Sequence, residues 1–385
     1  MSFPLIKLGD LFEIQIGKTP SRANQNYWTN GLYNWLSIAD MNQGKYLDRT
    51  KEKINDLAVK ESNIKLILEN TVVLSYKLSI GKVGITKKSM FTNEAIASLI
   101  PLNNNIDINF LYWALQHIDL MANTDRAAMG QTLNKAKLKE IKIPLPSLSE
   151  QKCIAEILDK ADELRQKRQQ SIEKLDELLQ ATFIDMFGDP VTNPKNLDYI
   201  QLGKLGNWAS GGTPSRSNKT FFNGTIPWYT SGELNNIYVS DSIEKISIEA
   251  IENSSTKLIP RGSLLLGMYD TAGLKSSITT IDSACNQAIA FAKINDNLAN
   301  KLFVYHQIQL IKEHLKQKQR GVRQKNFNLT MIKEIEILNP KLELQNSFAK
   351  TAARIEQQKQ TLLKQLNEQK NLFQSLQQRA FNGEL

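Results

Sequence analysis

The chain has 385 residues, 41% hydrophobic and 23% charged, with a net charge of +9 and an isoelectric point of about 9.2. This length leaves room for about two to four domains, and the positive charge favours a polyanionic partner. There is no apolar stretch of the ~20 residues that a membrane-spanning helix needs, no signal-peptide pattern at the first residues, and only two cysteines, so we expect a cytoplasmic protein without a disulfide framework.

Up to residue 146 the sequence consists of short apolar runs separated by Gly, Asn and Pro. Runs such as "NTVVLSY" (70–76) are rich in β-branched and aromatic residues, which predicts strands. A helical segment, "NFLYWALQHIDLMA" (109–122), and an extended segment, "IKIPLPS" (141–147), follow. This order predicts a compact α+β domain with a mixed or antiparallel sheet over residues 1–146.

A long amphipathic helix is predicted next, over residues 147–187. Ser147 and Glu150 form the S-x-x-E pattern of a capping box, and Gly188 with Pro190 ends the periodic run. Apolar residues recur along it at Ile154, Ile157, Ala161, Leu164, Ile172, Leu175, Leu178, Leu179 and Phe183. A helix of about 40 residues is ~60 Å long, so its apolar stripe requires a partner.

The rest of the chain repeats this order at an offset of 192–194 residues. The matching segments are "GKTPSR" (17–22) with "GGTPSR" (211–216), "FTNEAIA" (91–97) with "ACNQAIA" (284–290), and "LKEIKIPLPSLSEQ" (138–151) with "IKEIEILNPKLELQ" (332–345). Because the matches keep their order, we infer a tandem duplication. It predicts a second α+β domain over residues 188–340 and a second long helix over residues 341–385.

The second long helix carries a heptad seam. Phe348, Ile355, Leu362 and Leu376 follow a seven-residue step, and Ala352, Leu366, Phe373 and Ala380 follow another. Arg168 and Lys359 interrupt the seams of the two helices. Antiparallel pairing would bury both stripes, so we predict two similar domains joined by two long antiparallel coiled-coil helices, with a pseudo-two-fold internal repeat.

Motifs for catalysis are missing from the sequence. It has no G-x-x-x-x-G-K-[ST] phosphate loop, no G-x-G-x-x-G, and no Pro-Pro-aromatic loop of the kind that grips a flipped base in methyltransferases. His117, His306, His314 and the two cysteines do not form H-E-x-x-H or C-x-x-C metal patterns. We therefore predict no catalytic residue and no metal site.

Basic and polar side chains of the repeated unit are candidates for DNA contacts. Arg and Gln read purine edges, Lys holds phosphates, and a Thr-Pro turn presents its Ser and Arg to a phosphate. In the first copy the candidates are Thr19, Ser21, Arg22, Tyr76, Lys77, Lys82, Arg126, Gln131 and Lys135. In the second copy they are Thr213, Ser215, Arg216, Tyr269, Lys275, Lys318, Arg320, Arg323, Gln324 and Lys325.

These candidates have structural alternatives. Arg22 and Arg216 are equally able to pair with a carboxylate, and the basic segments are equally able to form solvated charged loops. Gly17 and Gly211 are expected to allow positive φ at the turns. Other repeated residues are predicted to be structural: Trp35 and Trp228 in the core, and Asn93 and Asn286 as backbone caps.

The doubled motifs resemble the specificity subunit of Type I restriction-modification systems. The resemblance rests on "GGTPS", the "NG…I-W" element, "NQAIA" and "IPLPSLSEQ", each of which has a counterpart in the other copy, and it covers essentially the whole chain. Copy two departs from the pattern in "ILNPKLELQ", which lacks the first Pro, and copy one has Lys18 in place of the second Gly.

The resemblance implies two target-recognition domains that each read one half of a bipartite, asymmetric double-stranded DNA target. The paired helices would fix the half-site spacing and dock two methyltransferase subunits, which carry S-adenosylmethionine; up to two restriction subunits that use ATP and Mg join them. This chain is then expected to bind no cofactor and to make no bond itself. The alternatives are a stand-alone DNA-binding regulator with a coiled-coil rod, an unrecognised nuclease or methyltransferase, and a structural scaffold.

Overall fold

The computed structural model describes residues 3–120, 125–127, 130–269, 273–320 and 326–385, with backbone alone at 125–127, 130–132 and 319–320. The chain divides into two compact units, unit 1 (Met1–Gln169 and Lys364–Leu385) and unit 2 (Gln170–Leu363). Each unit contains its own sheets, its own buried core and one part of each of the two long helices.

Unit 1 begins with a sheet-rich part that ends at the first long helix. Its strands are β1 (Leu5–Lys7), β2 (Phe12–Ile16), β3 (Tyr33–Leu36), β4 (Tyr46–Leu47), β5 (Glu52–Ile54), β6 (Val72–Ser75), β7 (Val83–Thr86), β8 (Phe91–Thr92), β9 (Ile96–Pro101), β10 (Asp125–Ala127), β11 (Gly130–Thr132) and β12 (Lys142–Pro144). Its helices are α1 (Leu8–Leu11), α2 (Asp56–Ser62), α3 (Ile108–His117), α4 (Lys135–Glu140) and the start of α5 (Leu148–Phe187).

Unit 2 repeats this order. Its strands are β13 (Tyr199–Gln201), β14 (Ala209–Ser210), β15 (Ile226–Tyr229), β16 (Tyr238–Val239), β17 (Glu244–Ile246), β18 (Leu264–Gly267), β19 (Ser276–Thr279), β20 (Ala284–Cys285), β21 (Ile289–Ala292) and β22 (Glu336–Leu338). Its helices are the end of α5, α6 (Ile248–Glu252), α7 (Lys301–Arg320), α8 (Leu329–Glu334) and the start of α9 (Leu342–Asn382).

The sheets of the two units share one topology. A five-stranded sheet has the order β2-β9-β6-β7-β4 in unit 1 and β14-β21-β18-β19-β16 in unit 2. A three-stranded sheet has the order β5-β3-β8 in unit 1 and β17-β15-β20 in unit 2. Most pairs are antiparallel, but the last strand of each sheet, such as β4 beside β7, pairs in parallel. The predicted mixed sheet is confirmed in both units.

The central strands β6 and β18 are buried on both faces, which explains their unbroken apolar runs. Val72 and Leu74 face the larger core of unit 1, whereas Val73 faces a second core on the other side of the sheet. In unit 2, Leu264 faces the larger core and Leu265 the second core.

The sequence signals predicted for the two ends of α5 are present in the structure. Ser147 Oγ and its backbone amide both donate to a Glu150 carboxylate oxygen, at 2.7 and 2.9 Å, and this capping box lowers the pKa of Glu150. Gly188 adopts φ +79 after the last turn of α5, a left-handed conformation that glycine adopts without strain. These contacts set the bounds of α5 at Leu148 and Phe187.

Within each unit the parts of α5 and α9 pack antiparallel. In unit 1 Ile154 and Leu158 share a core with Phe373 and Phe381, and in unit 2 Phe183 packs against Phe348 and Ala352. The residues that interrupt the seams have partners, since Arg168 donates to Gln365 and Lys359 pairs with Asp176. Leu164 and Leu178, predicted for the apolar stripe of α5, are largely exposed instead.

Four phenylalanines form the centre of unit 2. Phe183, Phe187, Phe303 and Phe348 are at most 1% exposed, and their ring centroids lie 5.0–6.2 Å apart. His306 packs edge-on against Phe348 at 5.6 Å. Burial, together with the charge of nearby Lys359, lowers the pKa of His306 to about 4.

This histidine is expected to make the stability of unit 2 depend on pH. The unfolded chain takes up a proton at His306 below about pH 6.5, whereas the folded chain does so only near pH 4, so stability falls as the pH drops through this window. The loss is on the order of 2 kcal/mol. Urea unfolding at pH 7 and pH 4.5 measures it, and His306→Gln should reduce the difference between the two pH values. His314→Gln, a half-buried histidine on the same helix, is the control; an equal effect of both variants would contradict the assignment.

Candidate nucleic-acid interface

The two Thr-Pro-Ser-Arg turns have the same ion pair. Arg22 donates to both carboxylate oxygens of Glu52 at 2.5 and 2.9 Å, and Arg216 does the same with Glu244 at 2.5 and 2.8 Å. This bidentate hydrogen bonding lowers the pKa values of Glu52 and Glu244 and raises those of the arginines. The carboxylate alternative is therefore what the structure contains at both turns, and a DNA contact by either arginine stays a prediction.

Aromatic rings support the same arginines. The Arg22 guanidinium lies 3.9 Å from the ring centroid of Trp28, and the Arg216 guanidinium lies 4.4 Å from that of Phe222. Trp35 and Trp228 are buried, as predicted. Their indole nitrogens donate to the backbone carbonyls of Lys18 and Gly212, which fixes each turn on its three-stranded sheet.

The glycines of the turns serve close packing and not positive φ, so that expectation was wrong. A Cβ on Gly17 would lie 2.2 Å from the carbonyl oxygen of Asn93, and one on Gly211 would lie 2.2 Å from that of Cys285. Asn93 and Asn286 each accept a hydrogen bond from the amide two residues later, at 3.1 Å, which confirms them as backbone caps.

The threonine and serine side chains of the turns lie beside these closely packed glycines. Thr19 donates to the Glu94 carboxylate and Thr213 to the Gln287 amide oxygen. Ser21 and Ser215 are both exposed, and the hydroxyl oxygens of Ser215 and Ser217 are hydrogen-bonded at 2.8 Å. The hydroxyls of each turn thus lie beside an arginine whose two terminal nitrogens each donate to a glutamate carboxylate.

The residues after the central strands lie beside the turns. Tyr76 is only 3% exposed and donates to the carbonyl of Glu94 at 2.8 Å, so its ring packs inside unit 1 and does not reach the surface predicted for it. The Lys77 ammonium lies 5.3 Å from the centroid of the Tyr76 ring. Lys82 donates to the Asn42 side chain at 2.8 Å and to the carbonyl of Ile38.

Unit 2 repeats part of this arrangement. Lys275 donates to the Asn235 side chain at 2.8 Å, as Lys82 does to Asn42. Tyr269 is partly exposed. The structural equivalent of Tyr76 is the buried Met268. Each directly follows its central strand, and its amide donates to the carbonyl of an equivalent alanine, Ala95 in unit 1 and Ala288 in unit 2.

The basic segments differ between the two units. In unit 1 the segment forms the hairpin β10–β11, in which Arg126 and Gln131 are paired residues, and Lys135 is exposed at the start of α4. In unit 2 helix α7 continues to Arg320, so Lys318 lies exposed on a helix and not in a charged loop. Arg323, Gln324 and Lys325 lie outside the described residues, as do the side chains of Arg126, Gln131 and Arg320.

Backbone hydrogen bonds bring these segments to one edge of each unit. In unit 1 the amide of Leu133, just after β10–β11, donates to the carbonyl of Tyr76 at 3.1 Å. In unit 2 the amide of Phe327, just after the basic segment, donates to Met268 at 2.8 Å. The Thr-Pro turn, the end of the central strand and the divergent basic segment are therefore neighbours in both units.

Glu52 and Glu244 were missed by sequence reasoning. Both begin the sequence "EKI", at residues 52–54 and 244–246, in the strand that pairs with the tryptophan strand. Glu52 lies directly opposite Trp35, and Glu244 opposite Trp228. This repeated tripeptide was the signal that could have identified the partners of the turn arginines.

The Arg22–Glu52 pair is expected to stabilise unit 1 modestly. Because both side chains are partly exposed, Arg22→Ala and Glu52→Ala should each lower the free energy of unfolding by about 0.5–1 kcal/mol, measured by urea denaturation. Lys18→Ala, an exposed change in the same turn, is the control. If Arg22→Ala weakened DNA recognition and Glu52→Ala did not, Arg22 would be assigned to DNA and not to this structural pair.

The described residues contain neither a metal-binding cluster nor a membrane-spanning helix. No group of three or more His, Cys, Asp or Glu side chains within the described ranges is arranged to hold a metal ion. Among the same residues, no helix is long and apolar enough to cross a membrane.

Residues 3–174 and 194–370 both match the Type I restriction modification DNA specificity domain. The chain is 23% identical over 364 residues to the Type I restriction enzyme MjaIX specificity subunit of Methanocaldococcus jannaschii, which covers 89% of this chain and 84% of that protein. It is 30% identical over 164 residues to the EcoR124I/EcoR124II specificity subunit of Escherichia coli, which covers 41% of this chain and 40% of that protein.

A solved structure has the same fold. The S subunit of a Type I restriction-modification system from M. genitalium superimposes with a TM-score of 0.64 at 17% identity, over 98% of this chain and 96% of that one. The family match spans both copies of the repeat, most of the chain. The chain therefore belongs to the family of Type I restriction-modification DNA specificity subunits, the subunits that determine which DNA sequence the enzyme recognises.

Proposed function

We propose that each unit of this chain reads one half of a bipartite, asymmetric DNA sequence. The observation that carries this proposal is the edge shared by both units, where the repeated turn and strand end lie beside a basic segment that differs between the copies. A shared framework positions the protein on DNA, and divergent side chains discriminate bases. Two different segments would then read two different half-sites.

The paired helices would fix the distance between half-sites and dock the partner subunits. Half-site spacing follows protein geometry, and a packed helix pair is stiff enough to define it. Exposed apolar side chains, among them Leu164 and Leu372, line an open groove between α5 and α9 in unit 1. Two methyltransferase subunits, one for each copy of the repeat, are the proposed partners, with restriction subunits joining them.

The chemistry would reside in those partners. They would carry S-adenosylmethionine, ATP and Mg, and this chain would supply recognition without a catalytic residue. The assembly would act in the cytoplasm, where its DNA lies.

Co-expression with the methyltransferase subunit, followed by methylation-sensitive sequencing of the host DNA, tests the proposal. We expect methylated adenines confined to one two-part motif with a fixed gap. The matched control is the methyltransferase expressed alone, which should leave that motif unmodified. If the chain formed no complex and the DNA carried no motif, and the pure chain instead bound DNA tightly by itself, the proposal would be wrong.

A further inference from the structure

The two units differ sharply where the long helices pack beside the central helix, α3 in unit 1 and α7 in unit 2. In unit 1 this place is filled by a polar cluster. Trp113 Nε1 donates to a carboxylate oxygen of Asp159 at 2.8 Å, and the buried Lys45 ammonium pairs with the same carboxylate. The Lys45 ammonium also lies 5.6 Å from the Trp113 ring, so the three side chains satisfy one another.

In unit 2 the equivalent residues are Ile237, His306 and Ala353. The backbone establishes the first equivalence. The carbonyls of Lys45 and Ile237 accept hydrogen bonds from amides of the equivalent strands β7 and β19. The others follow from the offset of the repeat along the helices. His306 is smaller than Trp113, and Ala353 is smaller than Asp159, so unit 2 has less side-chain volume here. Ala353 also lacks the carboxylate that, in unit 1, accepts a hydrogen bond from the buried ring.

A cavity of about 440 Å³ lies against Ile237 and His306 in unit 2, whereas Ala353 is exposed on α9 and lies outside its wall. Aromatic side chains form one part of its wall, and polar side chains another. The wall includes Phe183, Tyr305, His306, Phe348, Glu356 and Lys359. A volume of this size holds a ligand of about ten non-hydrogen atoms beside ordered water.

Two polar groups in the cavity wall make no hydrogen bond to the described residues. Nε2 of His306, a residue 7% exposed, makes no hydrogen bond. Glu356 is 9% exposed, and no described side chain donates to its carboxylate. Lys359, the nearest cation, is paired with Asp176. Burial raises the pKa of Glu356, and the charge of Lys359 opposes this rise only in part.

We propose that this cavity in unit 2 binds a small organic cation with a planar apolar body, such as an amidine or a guanidine. Its N–H groups would donate to the Glu356 carboxylate and to His306, and its ring would pack against Phe183 and Tyr305. With Lys359 held by Asp176, Glu356 leaves the cavity with a net negative charge that favours a cation. The proposal goes beyond DNA recognition, and its test requires neither DNA nor a partner subunit.

Benzamidine is the probe, because it joins an amidinium to a phenyl ring. Isothermal titration calorimetry on the full chain should show saturable binding at one site, and Glu356→Gln should weaken it about tenfold or more. The matched control is Asp162→Asn, the equivalent position in unit 1, whose carboxylate accepts from Arg165 and Gln166. This change should leave the affinity unaltered.

A second variant fills the cavity. Ile237→Lys, His306→Trp and Ala353→Asp together introduce the unit 1 cluster into unit 2, and this triple variant should abolish benzamidine binding. Circular dichroism and thermal unfolding establish that each variant is folded. The proposal is overturned if the parent chain shows no saturable binding, or if either folded variant binds as the parent does. In complex with the methyltransferase subunit, retained affinity assigns the site to a free cation, and lost affinity assigns it to a cationic side chain of the partner.

Discussion

Phe348→Ala is expected to lower the free energy of unfolding of unit 2 by about 3–5 kcal/mol. Phe348 is fully buried, and its ring packs against those of Phe183, Phe187 and Phe303. These rings come from α5, α7 and α9, so removing one leaves a void where three helices meet. A rigid helix junction collapses only partly around such a void, and this places the expected loss near the upper part of the range for core truncations.

Hydrogen–deuterium exchange is the measurement, because it reports on the two units separately. Peptides from residues 170–363 should exchange faster in the variant, and peptides from residues 3–160 should not change. Leu344→Ala is the control, since Leu344 lies on the same helix but is 46% exposed, and it should alter stability by no more than about 0.5 kcal/mol. Equal acceleration in both variants, or faster exchange throughout the chain, would show that the aromatic cluster is not the local core of unit 2.

Much of the fold was predictable because its signals are local. Ser147 and Glu150 lie within one helical turn, and Gly188 ends the same helix, so both boundaries of α5 were readable from adjacent residues. The unbroken run at Val72–Leu74 predicted a strand, and burial on both sheet faces explains why it does not alternate with polar residues. Because the sequence is repeated, the same elements could be predicted for the second unit.

The candidate site was less predictable because its contacts are not local. Arg22 and Glu52 are 30 residues apart, and nothing in either segment alone distinguishes a carboxylate partner from a phosphate. The length of α7 depended on its packing against the core of unit 2, which extends the helix through a charged sequence. Gly17 was expected to adopt positive φ, but a side chain is excluded there by a backbone carbonyl that lies 76 residues away in sequence.

A chain with two copies of unit 2's sheet-rich part is expected to recognise a symmetric target. In this variant residues 3–146 are replaced by a copy of residues 197–340. The first and last strands of each sheet-rich part pair antiparallel, β1 with β12 and β13 with β22. The two junctions of the exchanged part therefore lie next to each other. Both long helices remain as they are.

The exchanged part should also pack correctly on the helices of unit 1. Phe303 takes the place of Phe110, whose ring lies 5.7 Å from that of Phe381 on α9. Phe381 has Phe187 as its counterpart in unit 2, and Phe187 already lies 5.0 Å from Phe303. The cluster of Lys45, Trp113 and Asp159 is lost, so the variant should be less stable than the parent but still folded.

Methylation-sensitive sequencing after co-expression with the methyltransferase subunit gives the result. We expect the parent's first half-site to disappear and its second half-site to occur twice in inverted orientation, because symmetry of a protein imposes the same symmetry on its DNA site. The reciprocal variant, with residues 3–146 copied over residues 197–340, should retain only the first half-site. If either variant still methylated the parent's asymmetric motif, base recognition would lie outside the sheet-rich parts. If each variant gives its own symmetric motif, the two halves of the target are read independently, and the duplication accounts for the two-part form of the site.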